Sequence, residues 1–128
     1  MYEVRRDYRD FQKNKLSGSV DGRGIKVAAT ASPGTLIHTA LGSQARMEWD
    51  EVWLQAVNTS GSAVALTLEW GGTTSPDDTI QVTLPANSGL VQIIPGNVLQ
   101  HGLVVRAFAA TANVVVVHGY VHRYEQIS

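Results

Sequence analysis

The chain has 128 residues, of which 44% are hydrophobic and 16% charged, with a formal net charge of −1 and no cysteine. That length suits a single domain burying roughly two-thirds of its unfolded surface, so neither metal nor cross-link is needed to hold a core. The absence of cysteine excludes disulfides, thiolate zinc sites and cysteine nucleophiles; the near-neutral balance lacks the field of a nucleic-acid binder, and the apolar runs fall far short of the roughly 20 residues that span a bilayer.

The first 23 residues carry six basic side chains (Arg5, Arg6, Arg9, Lys13, Lys15, Arg23) and four acidic ones (Glu3, Asp7, Asp10, Asp21), while only four basic and seven acidic residues follow. So charge-dense a leader buries too little apolar surface to fold alone. Residues 1–23 are therefore read as an N-terminal arm and 24–128 as the folded domain. Val4, Tyr8, Phe11 and Lys15 or Leu16 fall near helical spacing, so the arm is predicted to be either extended or a short amphipathic helix over 4–16. With both charge signs interleaved and no long apolar run, it is expected to be neither a secretory signal nor a membrane anchor, with Met1 as the start and the protein soluble. Ser17 to Gly24 is rich in turn formers and reads as a flexible joint.

From Ile25 onward, β signals recur at the short spacing of an all-β sandwich or barrel. They cover Ile25 to Thr30, Thr35 to Leu41, Glu51 to Val57, Val64 to Trp70, Thr79 to Leu84, Leu90 to Ile94, Leu103 to Phe108 and Val114 to Tyr124, making eight antiparallel strands separated by turn chemistry such as Ser32-Pro33-Gly34 and Pro95-Gly96-Asn97. Val64, Leu66, Leu68 and Trp70 alternate with Ala65, Thr67 and Glu69, the pattern of a half-buried strand. Leu90 to Ile94 and Val114 to Val117 are apolar on both faces, which implies a second cover. The arm, capping loops or another copy of the chain would each supply one. Another copy is the expectation taken here, with Val91, Ile93, Val115 and Val117 as self-association residues and a closed homo-oligomer as its form, a dimer or, as the leading expectation, a trimer.

Chemistry-bearing residues form no defensible catalytic motif. His118 and His122 share a strand face, but four residues at about 3.3 Å each place them roughly 13 Å apart, too far for one metal ion. His38 and His101 stand elsewhere, and no His-x-His occurs. Glu48, Asp50 and Glu51 bracket Trp49 and Trp53 as in sugar-processing sites, yet strand alternation sends Asp50 and Glu51 to opposite faces. Asp77 and Asp78 after Pro76 are expected to accept backbone N–H bonds in a tight turn rather than to bind calcium. No cofactor or metal is expected, and no enzyme.

The stretches LTLEWGGTTSPDD (66–78), LPANSGLVQIIPG (84–96) and LVVRAFAATANVVVVHGYV (103–121), with Trp49 to Asn58 and GRGIKVAATASPGTLIHTA (22–40), resemble small β-sandwich structural proteins of tailed bacteriophages. The resemblance implies a jelly-roll-like sandwich serving as a capsid decoration or cement protein on the outer surface of the virion, with the major capsid protein and its own copies as partners and neither nucleic acid nor membrane. In that setting Tyr2, Arg5, Arg6, Tyr8, Arg9, Phe11, Lys13 and Lys15 are the expected capsid-binding residues. Two alternatives stand beside it: a fibre, spike or tail component, and a carbohydrate-binding module presenting Trp49, Trp53, Trp70 or Tyr120 to a glycan.

Overall fold

The structure of the protein, a computed structural model, describes residues 9–42 and 47–126; the side chains of Arg9, Asp10, Phe11 and Gln126 lie outside that description. Nine strands and no helix occur among the described residues: β1 (Arg9–Lys15), β2 (Ile25–Lys26), β3 (Thr35–Thr39), β4 (Trp49–Asn58), β5 (Val64–Trp70), β6 (Thr79–Leu84), β7 (Val91–Leu99), β8 (Val104–Ala109) and β9 (Val115–Gln126). They form two antiparallel sheets. The larger runs β1-β9-β4-β7, with β2 also on β9, and the smaller runs β3-β8-β5-β6.

The pairing is nested. β5 pairs with β6, β4 with β7, β3 with β8 and β2 with β9, so the chain from β2 to β9 is one long hairpin rolled on itself. Rolling adds the β4–β9 and β5–β8 ladders, and the product is a jelly roll. The eight strands predicted from periodicity correspond to β2 to β9, although β2 keeps only Ile25–Lys26 of the predicted Ile25 to Thr30, and the strand predicted over Leu90 to Ile94 begins at Val91 and runs on to Leu99. It passes through Pro95, which an edge strand tolerates because its N–H side faces away from the sheet.

Of the two forms expected for the arm, the ninth strand takes the extended one. Where the sequence allowed a helix over 4–16, Arg9–Lys15 is extended and pairs with Tyr120 to Gln126 without a break in register. The cause is tertiary. β9 is 12 residues long and β2 pairs with only Val116 and Val117, so the rest of that edge offers β1 backbone donors and acceptors that a charged segment otherwise gives to water. Leu16 then drops into the core at 2% exposure, and the Gly18 N–H donates to the Ile37 carbonyl at 3.0 Å. The chain reverses at Asp21 (φ 56°) and Gly22 (φ 84°) before β2. The expected flexible joint is thus hydrogen-bonded to β3, and residues 9–23 belong to the folded body. Tyr2, Arg5, Arg6 and Tyr8 lie outside the described residues.

The expected second cover for the doubly apolar strands also needs correction. Val115 and Val117 are fully buried in the chain's own core and are closed to a second copy. Their neighbours Val114 and Val116 are half-buried; Thr59 bonds the Val114 carbonyl, and Gly24 lies so close to Val116 and His118 that an added Cβ would clash with both side chains. Val91 and Ile93 are half-buried against the same core. β5 is more enclosed than its alternation suggested, since Thr67 and Glu69 are only 5% and 3% exposed. The loop leading into β3 covers Glu69: the Gly34 N–H donates to Oε1 at 2.7 Å and the Ser32 hydroxyl bonds Oε2.

Because Leu16 is a core residue, Leu16→Ala is expected to lower the unfolding free energy by about 2–5 kcal/mol in urea titrations. Lys15→Ala, one residue earlier and exposed, should stay within about 0.5 kcal/mol of wild type. Equal effects at the two positions would show that the segment is not part of the body.

Candidate functional site

β4 and β9 are the two central strands of the larger sheet, and strict alternation gives each an inner and an outer row. Asp50, Val52, Leu54, Ala56 and Asn58 point inward from β4, and Trp49, Glu51, Trp53, Gln55 and Val57 outward. In register, Asp50 faces Arg123, Glu51 faces His122, Trp53 faces Tyr120 and Trp49 faces Tyr124. The chemistry-bearing residues therefore fall into two groups, one inside the sandwich and one on its outer face.

The inner group centres on Asp50, which is 0% exposed. Its Oδ1 accepts Arg123 Nε–H at 2.8 Å, and its Oδ2 accepts Arg123 Nη2–H at 3.0 Å, the Leu41 N–H at 3.1 Å and the His38 Nε2–H at 2.6 Å. His38, also 0% exposed, accepts the Ser17 N–H on Nδ1 at 2.9 Å, so the ring is the neutral Nε2–H tautomer. Ser17 Oγ in turn accepts the Thr39 N–H at 2.6 Å. Burial pushes the Asp50 carboxyl up, but the hydrogen bonds from His38, Arg123 and Leu41 and the attraction of the guanidinium outweigh it, holding the group down at about 2 against an ordinary 3.8. The same contact, working against burial, pushes Arg123 further up.

A serine, a histidine and an aspartate meet here without forming a nucleophilic triad. Both imidazole nitrogens are occupied, one by a backbone amide and one by the carboxylate, and no lone pair remains to take a proton from a substrate or from Ser17 Oγ. The arrangement is a junction: it ties β3 of the smaller sheet to β4 and β9 of the larger and fixes the turn after β1. Asn58 does the same at the far end of β4, where its Nδ2 donates to the carbonyls of Ser62, Leu84 and Pro85 and its Oδ1 accepts from Ser60. No buried side-chain nitrogen or oxygen among the described residues lacks a partner.

The outer group is an aromatic ladder. Trp49 stacks on Tyr124 with centroids 5.1 Å apart, Trp53 lies near-parallel to Tyr120 at 6.4 Å, and His122 sits 5.2 Å from Tyr120. Glu51 Oε1 accepts Trp53 Nε1–H at 2.8 Å and lies 3.0 Å from His122 Nδ1. Lys13 of β1 places its Nζ 4.3 Å from the Tyr120 centroid, a cation–π contact. On the side of β7, Gly96 (φ 89°) backs onto the Trp53 benzo ring, where a Cβ would come within 2.7 Å of Cζ2. Tyr120 thus lies near-parallel to Trp53 and the Gly96 backbone backs onto its benzo ring, while Trp70 packs against the core.

The structure thus separates what the sequence grouped. Asp50 and Glu51 diverge as expected, Asp50 into the interior and Glu51 onto the outer face. His122 joins Glu51, His118 lies against Gly24, and His101 occupies a turn at φ 61°; among the described residues no three His, Asp or Glu side chains group as a metal site. Asp78 Oδ2 accepts the Thr74 N–H at 3.1 Å, which is the expected turn. Of the expected capsid-binding residues, Lys13 and Lys15 are exposed on β1, while Arg9 and Phe11 are placed by backbone alone. The Asp50 junction was missed, although Arg123 keeps phase with Val117 and Val121, and a cation on the core face calls for a buried anion. Comparisons with protein-family models, with curated proteins and with solved structures give no match.

A carboxyl held lower in the folded than in the unfolded chain stabilises above its unfolded value, and that contribution disappears as pH falls through the folded one. For Asp50 the window runs from about pH 4 down to about pH 2 and the contribution is about 2 kcal/mol. Asp50→Asn should lower stability at pH 7 by about 3 kcal/mol, because it leaves Arg123 without its counter-ion, and should flatten the acid limb of the stability–pH curve. Denaturant unfolding between pH 2.5 and 7 tests both; an acid limb unchanged in the variant would contradict the assignment. Gly96→Ala, strained by its positive φ and by the Trp53 ring, should cost about 1–3 kcal/mol in the same assay.

Proposed function

We propose that this chain is a non-enzymatic structural protein of a bacteriophage virion, a decoration or cement protein bound to the major capsid protein lattice on the outer surface of the capsid. The resemblance of residues 22–40, 49–58, 66–78, 84–96 and 103–121 to small phage β-sandwich proteins supports this reading. The observation that carries it is the placement of β1. A charged strand is laid along the open edge of a jelly roll whose buried polar groups are engaged internally, and it leaves Lys13 and Lys15 exposed on the flank beside the aromatic ladder.

The physical mode of action is repetition. Each copy adds a modest contact between neighbouring shell subunits, and many copies together resist the outward pressure of packaged nucleic acid. A rigid body suits that task, because a strut that deforms transmits little force. The cations of β1 complement acidic loops of a shell subunit, so attachment weakens as salt rises.

Pelleting with empty shells of the source virus tests the reading. The full chain should co-sediment, and the Lys13→Glu, Lys15→Glu double variant should bind about tenfold more weakly or worse, because reversed charge repels the surface it steers towards. Removal of residues 1–8, which leaves β1 and Leu16 in place, should also weaken pelleting without unfolding the body. Failure of the wild-type chain to pellet would contradict the proposal, and undiminished binding of the double variant would remove β1 as the contact.

A further inference from the structure

A two-sheet sandwich has open edges whose unpaired N–H and C=O groups invite another strand, and natural sandwiches protect them. Three of the four flanks here carry a protective device. The β1 flank is charged, and β2 beside it is two residues long. β3 has a bulge between Leu36 and His38 and is covered by the turn after β1, through Gly18 N–H to Ile37 and Thr39 N–H to Ser17 Oγ. β7 contains Pro95 and Gly96 and shifts register against β4 twice.

β6 has none of these. Thr79–Leu84 contains no charge, proline or glycine, and its register with β5 is unbroken from Leu84 to Thr79. Among the described residues, the Ile80 to Thr83 backbone makes no hydrogen bond outside the β5 ladder, and Gln81 and Thr83 are exposed. Such an edge, left to water in the single chain, is a template for another extended strand.

We propose that β6 pairs antiparallel with β6 of a second copy about a two-fold axis at Gln81, joining two four-stranded sheets into one of eight strands. The register follows from the faces. Opposed residues in an antiparallel pair share a face, so a two-fold at Gln81 sets Gln81 against Gln81, Ile80 against Val82 and Thr79 against Thr83. The half-buried Ile80 and Val82 then continue the core across the axis, while amides and hydroxyls meet on the outer face. Charge selects the direction: antiparallel pairing sends Asp77 and Asp78 of the two copies to opposite ends, whereas parallel pairing would place them side by side. The contact is isologous and closes at two copies, giving a dimer.

Sedimentation velocity on the full chain at micromolar concentration tests the pairing, with Gln81→Lys, Gln81→Glu and their equimolar mixture. Gln81 is exposed, so both variants should keep the wild-type far-UV circular dichroism. Wild type should sediment at about twice the 13.8 kDa chain mass. Each variant alone should dimerise at least about tenfold more weakly, since like charges then stand directly opposite, and the mixture should recover the dimer. A monomeric wild type, variants that dimerise like wild type, or a mixture that stays monomeric would each overturn the proposal. None of these outcomes depends on shell binding.

Discussion

One buried carboxylate holds together the parts of this fold that local sequence leaves independent. Asp50 bonds at once to a histidine from the smaller sheet, an arginine from the far end of β9 and the amide of Leu41. A single buried ion is costly, and even a well-paired one contributes little net stability. Breaking the set is what is expensive, so its effect is to penalise every arrangement in which the sheets slide, the turn after β1 detaches or β9 shifts register. In this reading Asp50 specifies the fold more than it stabilises it.

The rest of the molecule can be built outward from β4. Its inner row is polar at both ends and apolar between, with Asp50 and Asn58 anchoring the loops at either end and Val52, Leu54 and Ala56 filling the space between the sheets. Both sheets assemble by rolling one nested hairpin, so most ladders join strands far apart in sequence. Such a topology needs its register fixed by something other than local turns, and the two polar anchors, with the Gly96–Trp53 contact on the outer face, supply it.

Much of this was legible from residue types alone, because period-two alternation and turn chemistry are local signals; β2 to β9 all stood out for that reason. β1 did not, because Val4, Tyr8, Phe11 and Leu16 fit a helical spacing and the force that extends Arg9–Lys15 is the unfilled edge of β9, a strand a hundred residues away. Glu69 looked solvent-facing because nothing local announces that Ser32 and Gly34 fold over it. The apolar residues Val115 and Val117 suggested a subunit contact, whereas the jelly roll covers them itself. The candidate site was less legible than the fold: the phase of Asp50 was visible, but its partners His38 and Arg123 lie 12 and 73 residues away.

The body is a jelly roll in which the buried side-chain polar groups of the described residues are paired, and attachment to a shell through the β1 flank is the proposal built on it. The most direct measurement is the copy number of the chain in purified virions of its source, by quantitative gel densitometry against the major capsid protein. The account predicts hundreds of copies per particle, in fixed ratio to the shell subunit. A handful of copies would assign the protein to a tail, fibre or spike, and absence from the particle would contradict the account.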